Sequence, residues 1–160
     1  MIEHNLKNRI ATYICFIDIE NAFPSVTYEL LFGLLAKHGV NQDAINIIES
    51  LYKDSSNIIH VDSMKVGPFQ VNKGVRQGGP LSMFLFNIAI NQVLFAVDPD
   101  QIAFKILAYA DDIAITSTSL DKLQSDVNKA NALIQWCGMK VKPAKCGLLS
   151  HQPPLRFGRA

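Results

Sequence analysis

The sequence predicts an α+β fold, with an antiparallel sheet and helices packed on one face. Two observations lead to this prediction: apolar strand patterns occur in pairs joined by tight turns, and helical patterns separate those pairs. A third is composition, since 49% hydrophobic and 18% charged residues over 160 positions are typical of one folded domain.

The first strand is predicted over residues 13–19, a nearly continuous apolar run rich in β-branched and aromatic side chains. Such a run is typical of a strand buried on both faces. A helix is predicted after Thr27 as N-cap, with four leucines on one face and Gly39 as its stop. Asn41 is expected to cap a second helix.

A hairpin is predicted next, over 57–61 and 65–71, followed by a loop over 72–79. Proline favours the first helical position, so a core helix is predicted from Pro80 to Val97. Its apolar run is interrupted and shorter than the ~20 residues of a membrane span. We therefore expect no membrane partner.

Two further strands are predicted over 102–109 and 113–116, around a tight turn at the intervening residues. A helix capped by Ser119 is expected to reach Trp136, with Gly138 as its stop.

The chain is expected to end in one or two short strands within 141–149. Residues 1–150 are thus predicted to form one domain. Residues 151–160 carry two prolines and little pattern, and they are expected to form a loose tail.

The three cysteines, Cys15, Cys137 and Cys146, show no CxxC spacing, and the four histidines are scattered. A zinc site is therefore not predicted. The cysteines are instead predicted to be buried free thiols in a reducing compartment. No signal peptide pattern opens the chain, so an intracellular location, cytoplasmic or nuclear, is expected. The net charge of +1 weighs mildly against a nucleic-acid enzyme, which usually has a basic surface.

Adjacent carboxylates, Asp111 and Asp112, lie between two apolar strands. They repel one another, and Ala-Asp is a poor pair for a two-residue hairpin turn. Residue types that disfavour the local structure in which they occur indicate a functional site. The alternative is a solvated hairpin tip that tolerates acids.

A third carboxylate, Asp18, lies in an otherwise apolar strand, where an unpaired acid is costly. A bound divalent cation would offset that cost, and Mg²⁺ takes a few carboxylates together with substrate phosphates. Two such ions ~3.5–4 Å apart can promote an in-line displacement at phosphorus. The alternative is that Asp18 pairs with a structural Lys or Arg.

The glycine-rich loop at 74–82 allows close approach of the backbone to a ligand, and a helix N-terminus follows it. Alone, such a loop is equally compatible with a structural turn.

Four segments in order, FIDIENAF, GVRQGGPLS, AYADD and GMKVKPAKC, resemble motifs A, B, C and D of the reverse transcriptase palm. The resemblance covers residues 13–149, nearly the whole chain. RQGGPLS, LFN and PAKC most resemble non-LTR (LINE-type) retrotransposons.

The resemblance implies an RNA-directed DNA polymerase palm that uses two Mg²⁺ ions, with Mn²⁺ as the alternative, to transfer a nucleotide from a dNTP to a primer 3′-hydroxyl. RNA template, DNA primer and dNTP are the implied partners. The implied metal ligands are Asp18, the Ile19 carbonyl, Asp111 and, less directly, Asp112.

The remaining roles also come from the resemblance. Phe23 would lie under the sugar and exclude a 2′-hydroxyl, and Lys145 would protonate the leaving pyrophosphate. Arg76, Gln77 and Gly78 would lie near the nascent base pair. Phe23 as ordinary core and Lys145 as a solvated lysine are the alternatives.

Pro24 and Met83 depart from the family pattern, which commonly has Asp and Pro there, but neither is a metal ligand. Few residues precede the first strand, and few follow the last. The fingers, the thumb and any endonuclease domain are therefore expected to be missing. The alternative hypotheses for the function are a truncated, inactive relic of a retroelement and a nucleic-acid-binding palm module. An RNA-dependent RNA polymerase usually has Gly before the Asp pair and a small polar residue at the position of Phe23.

Overall fold

Helices and strands alternate along the chain, of which the computed structural model describes residues 2–53, 55–100 and 105–151. The helices are α1 (Ile2–Lys7), α2 (Ala22–Ser25), α3 (Tyr28–Lys37), α4 (Gln42–Lys53), α5 (Ser82–Val97) and α6 (Leu120–Trp136). The strands are β1 (Thr12–Ile17), β2 (Ile19–Glu20), β3 (Ser56–Val61), β4 (Met64–Gln70), β5 (Ile106–Tyr109), β6 (Asp112–Ser117), β7 (Lys140–Val141) and β8 (Gly147–His151). A 3₁₀ helix spans Pro143–Lys145.

The main sheet has four strands in the order β5-β6-β1-β8, and every neighbouring pair is antiparallel. Two smaller sheets pair β2 with β7 and β3 with β4. The predicted α+β class with an antiparallel sheet is confirmed.

Helices α5 and α6 pack against each other and against one face of the main sheet. The sheet contributes Ile17, Ile113 and Ile115 to the core, and α5 contributes the fully buried Leu85 and Phe86. The opposite face of the main sheet is called the open face below.

The predicted first strand, residues 13–19, is interrupted at Asp18, where the chain changes partners. β1 pairs with β6 and β8, whereas β2 pairs with β7. The Asp18 carbonyl accepts a hydrogen bond from the Lys142 backbone N–H at 2.8 Å, which fixes the crossing.

The prediction that α5 begins at Pro80 is wrong, because the helix begins at Ser82. The Ser82 N–H donates to the Gly79 carbonyl, and the Ser82 hydroxyl donates to the Arg76 carbonyl. These bonds keep the preceding residues in a turn.

The helix predicted after Thr27 is confirmed, although no side-chain hydrogen bond from Thr27 caps it. Helices α1 and α2 were not predicted. His151, expected in the loose tail, lies in β8 opposite Thr12. The rest of that tail, and residues 102–104 of the predicted strand, lie outside the described residues. Among the described helices, none has the length and apolarity that crossing a membrane requires.

Candidate functional site

Two of the predicted carboxylates lie side by side at the end of the main sheet. The β1–β6 register ends with Ile17 opposite Ile113, and extending it by one position places Asp18 opposite Asp112, both of which line one cleft. Both isoleucines are buried in the core, and alternate side chains of a strand point to opposite faces. Asp18 and Asp112 therefore lie on the open face.

Lys145 joins this pair from the 3₁₀ helix that leads into β8. Its Nζ lies 3.9 Å from Asp18 Oδ1, with 60% and 31% of the two side chains exposed. An ion pair this long and this exposed contributes under about 1 kcal/mol. The alternative hypothesis for Asp18 was a pair with a structural lysine or arginine. Asp18 does pair with a lysine, but that lysine, Lys145, is itself a predicted site residue.

A cleft of about 440 Å³ opens at this position, and it is called the carboxylate cleft below. Its lining residues are Phe16, Ile17, Asp18, Leu107, Ala108, Tyr109, Asp112, Ile113, Ala114 and Lys145. Phe16 and Leu107 were not predicted to line the site. Their alternation with core residues in β1 and β5 was the sequence pattern that could have indicated it.

Asp111 occupies the two-residue turn between β5 and β6, next to the cleft. The preceding residue, Ala110, has a φ of 55°, in the left-handed region that residues with a Cβ rarely adopt. Such backbone strain clusters at functional sites. The poor turn chemistry predicted for this pair is therefore observed as a strained turn.

Phe23 lies in α2 and stacks on the fully buried Phe86, with ring centroids 4.4 Å apart and an interplanar angle of 11°. Its ring is half-buried against the core, so the ring contributes to packing. A sugar-excluding role remains a prediction. Ile19 follows Asp18 directly and pairs with Val141, and its side chain is buried.

The glycine-rich loop docks on the segment around Phe23 through backbone contacts. The Val75 N–H donates to the Phe23 carbonyl at 2.9 Å, and the Gly74 N–H donates to the Val26 carbonyl at 2.7 Å. A Cβ at Gly74 would lie 2.6 Å from the Pro24 Cα, and Gly74 has a φ of 92°. Glycine is therefore needed at this contact.

The side chains of the loop point to a separate cleft of about 390 Å³. Arg76 and Gln77 line it together with Lys73, and Gly78 is exposed nearby with a φ of 80°. Arg76 donates to the Leu51 carbonyl at 3.0 Å and lies 5.9 Å from the centroid of the Tyr52 ring. The loop residues and the carboxylates thus line different clefts.

The donor atoms of the carboxylate cleft suit a hard divalent cation, because carboxylate oxygens are the ligands that Mg²⁺ prefers. Within residues 2–53, 55–100 and 105–151, no group of three or more His, Cys, Asp or Glu side chains is arranged around a common metal position. The facing pair Asp18 and Asp112 can supply ligands to an ion that also binds substrate phosphates.

Of the three cysteines, Cys137 is fully buried, and burial raises the pKa of its thiol to about 11. Cys15 and Cys146 are partly exposed. Burial and, secondarily, the neighbouring Cys146 raise the pKa of Cys15. The expectation of buried thiols is confirmed for Cys137 only.

An antiparallel sheet with helices on one face and carboxylates at a strained hairpin tip is the arrangement expected of the palm of a nucleic-acid polymerase. Residues 2–157 match the family model "Reverse transcriptase (RNA-dependent DNA polymerase)". The chain belongs to the reverse transcriptase family.

Curated relatives confirm the non-LTR character. A type-1 retrotransposable element R2 Pol polyprotein of Nasonia vitripennis is 29% identical over 148 residues, which are 88% of this chain and 14% of that protein. The R2DM polyprotein of Drosophila melanogaster is 25% identical over 153 residues, 91% of this chain and 14% of that protein. The chain thus spans about one-seventh of the length of these relatives.

Solved structures of telomerase share the fold. Apo telomerase from Candida tropicalis, truncated from the C-terminal domain, matches with a TM-score of 0.74 at 16% identity, covering 94% of this chain and 33% of that one. Telomerase from the same yeast, in complex with a fragment of telomeric RNA, matches with a TM-score of 0.70 at 16% identity, covering 88% of this chain and 26% of that one.

Proposed function

We propose that this chain is the catalytic palm of an RNA-directed DNA polymerase from a LINE-type retroelement. It would transfer a nucleotide from a dNTP to a primer 3′-hydroxyl, on an RNA template. The observation that carries the proposal is the facing pair Asp18 and Asp112 beside Lys145, next to the strained Ala110–Asp111 turn.

Asp18, Asp111 and Asp112 are the proposed ligands of two Mg²⁺ ions, with the Ile19 carbonyl as an additional ligand and Mn²⁺ as the alternative ion. When bound, these ions would lower the charge repulsion between phosphate oxygens and activate the attacking hydroxyl. The facing carboxylates repel each other, so a cation between them lowers their electrostatic energy.

Lys145 is the proposed proton donor. The primer 3′-hydroxyl loses its proton to solvent as its oxygen forms a bond to the α-phosphorus. The bond to pyrophosphate breaks, and the departing oxygen gains a proton from the Lys145 ammonium, which solvent then protonates again. Its Nζ lies 3.9 Å from Asp18, on the open face, and is mostly exposed, so it can reach a substrate bound there.

Phe23 is proposed to select the sugar, and the loop from Arg76 to Gly78 to contact the nascent base pair. The backbone hydrogen bonds from Val75 to Phe23 and from Gly74 to Val26 support this, because they keep the loop adjacent to the Phe23 segment. The template–primer duplex would lie along the open face and be held largely through its backbone.

The partners of the palm would be fingers and thumb segments, and possible endonuclease segments, of a longer polyprotein. The 14% coverage of the R2 relatives supports this. We also propose that the protein acts inside the cell, in the cytoplasm or nucleus.

The test is primer extension by a chimaera in which this palm replaces the matching segment of the Nasonia R2 polyprotein. With Mg²⁺ and a homopolymer RNA template, Asp18→Asn and Asp111→Asn should each abolish extension. Asp43→Asn, an exposed acid on α4, is the matched control and should retain it. Near-normal extension by either site variant would refute the assignment. A folded but inactive parent chimaera would favour an inactive relic.

A further inference from the structure

We propose that a second cleft, at the far end of the main sheet, binds the phosphate backbone of a nucleic-acid strand. This cleft, called the lysine cleft below, has a volume of about 420 Å³ and lies between α6 and the ends of β5 and β6. Its lining residues are Lys105, Thr116, Ser117, Thr118, Lys122, Ser125, Asp126 and Lys129. It shares no lining residue with the carboxylate cleft.

The charge of the lysine cleft favours an anion. Three lysines face one aspartate, which leaves a formal charge of +2. Lys129 pairs with Asp126 at 3.2 Å, so the single acid is already neutralised. Lys105 and Lys122 have no ion-pair partner in the described part of the chain, and both are exposed.

The hydroxyl groups add hydrogen-bond donors. Thr116 donates to the Lys105 carbonyl and Ser117 accepts the Ser119 N–H, so both are engaged. Within the described residues, the side-chain hydroxyls of Thr118 and Ser125 have no hydrogen-bond partner. Ammonium and hydroxyl groups around a cleft of this size match phosphate oxygens, which accept several hydrogen bonds at once.

Hydrogen bonds hold the strand ends that frame the cleft. The buried Asp98 accepts the Lys105 backbone N–H at 3.1 Å, and the Lys105 carbonyl accepts the Thr116 N–H at 2.7 Å. These bonds fix the start of β5 beside the end of β6. Lys122, Ser125 and Lys129 lie on one face of α6 at helical spacing.

This inference rests on the proposed function, which supplies a nucleic-acid strand as the ligand. Asp112 and Ser117 mark the two ends of β6, five residue steps of ~3.4 Å apart, or about 17 Å. That distance is a few nucleotides of an extended backbone. Asp18 and Asp112 make the carboxylate end of the sheet acidic, so phosphates bound without metal would concentrate at the lysine end.

The experiment uses the full 160-residue chain with a fluorescein-labelled 15-nucleotide uridine RNA, measured by anisotropy at 50 and 200 mM NaCl. The double variant Lys105→Gln/Lys122→Gln should weaken binding about two- to thirtyfold, the range for losing two exposed ion pairs. The slope of log affinity against log salt should fall in magnitude by about 1.4, since each single-strand phosphate contact contributes about 0.7.

The matched control is Lys37→Gln/Lys65→Gln, which removes two exposed lysines outside the cleft and gives the same net charge. It should change affinity and slope much less. Equal losses from both double variants would show diffuse electrostatics and overturn the proposal.

A second readout locates the site even if the variant folds poorly. In ¹H–¹⁵N spectra of the parent chain, the RNA should shift the amide signals of Ser117, Thr118, Lys122 and Ser125. Pyrophosphate is the comparison probe. Shifts with pyrophosphate but not with RNA would indicate a site for free anions and refute a backbone site, as would no shift with either.

Discussion

Phe23 is half-buried and stacked on Phe86, and we propose that the same ring also excludes a 2′-hydroxyl. We expect Phe23→Ala to raise the ratio of ribonucleotide to deoxyribonucleotide incorporation, since each ~1.4 kcal/mol of clash relieved is about tenfold. Incorporation by the chimaera would be measured with each nucleotide in turn. An unchanged ratio would assign Phe23 to the core alone.

The same change tests the packing role. Losing a half-buried stacked ring should lower the free energy of unfolding by about 2 kcal/mol, below the 3–5 kcal/mol of a fully buried one. The matched control is Phe84→Ala, on the exposed side of α5, which should cost much less. Urea denaturation of both variants measures the difference.

Cys137 differs from the other two cysteines in reactivity. Because burial raises the pKa of its thiol to about 11, roughly one thiol in a thousand is ionised at pH 8, and access is blocked as well. We expect a disulfide reagent to modify Cys15 and Cys146 in the native chain, and Cys137 only in denaturant. Rapid reaction of all three thiols in the native chain would contradict the core described above.

At the level of elements, the contact between Gly74 and Pro24 holds the glycine-rich loop against the segment around Phe23. Gly74→Ala should destabilise the chain by about 2 kcal/mol or more, because a Cβ would overlap Pro24 and the φ of 92° is strained for alanine. Gly33→Ala is the matched control. It lies in α3 with open space around it, so it should stabilise by up to about 1 kcal/mol. Thermal unfolding of the two variants measures both effects, and similar midpoints would contradict the docking contact.

Elements with local signals could be predicted from sequence. Ser119 accepts the Lys122 N–H at 3.5 Å, Asn41 accepts the Asp43 N–H at 2.7 Å, and Gly39 and Gly138 end their helices with positive φ. The break at Asp18 and the late start of α5 could not be predicted, because each depends on a hydrogen bond to a residue outside the element's own sequence pattern. These partners are Lys142 for Asp18 and Arg76 for the start of α5.

For the whole molecule, the sequence predicts those residues of the candidate site that belong to a motif. It does not predict the features that depend on how distant elements pack together. The motifs gave Asp18, Asp112 and Lys145, which line one cleft. They did not indicate that Arg76 bonds to Leu51 and faces a different cleft. The lysine cleft depends on how α6 packs against β6, and no local sequence pattern predicts that packing.

The 160-residue chain should fold cooperatively but not polymerise. Its carboxylates repel a triphosphate, and Arg76, a motif cation that lines a different cleft, is already bonded to the Leu51 carbonyl. With a net charge of +1, binding to a template–primer should be weak and should disappear with added salt. Calorimetry should give one thermal transition, and gel assays no extension product. Robust extension by this chain alone would contradict the proposed need for fingers and thumb.

We claim that the carboxylates at the end of the main sheet bind divalent cations, and titration with Mn²⁺ can locate the bound ion. Titrated into the ¹⁵N-labelled chain, paramagnetic Mn²⁺ should broaden the amide signals of residues 17–19 and 110–113 first. Asp18→Asn should abolish this selectivity, whereas Asp43→Asn on α4 should not. Broadening that begins elsewhere, or that persists unchanged in Asp18→Asn, would contradict the claim.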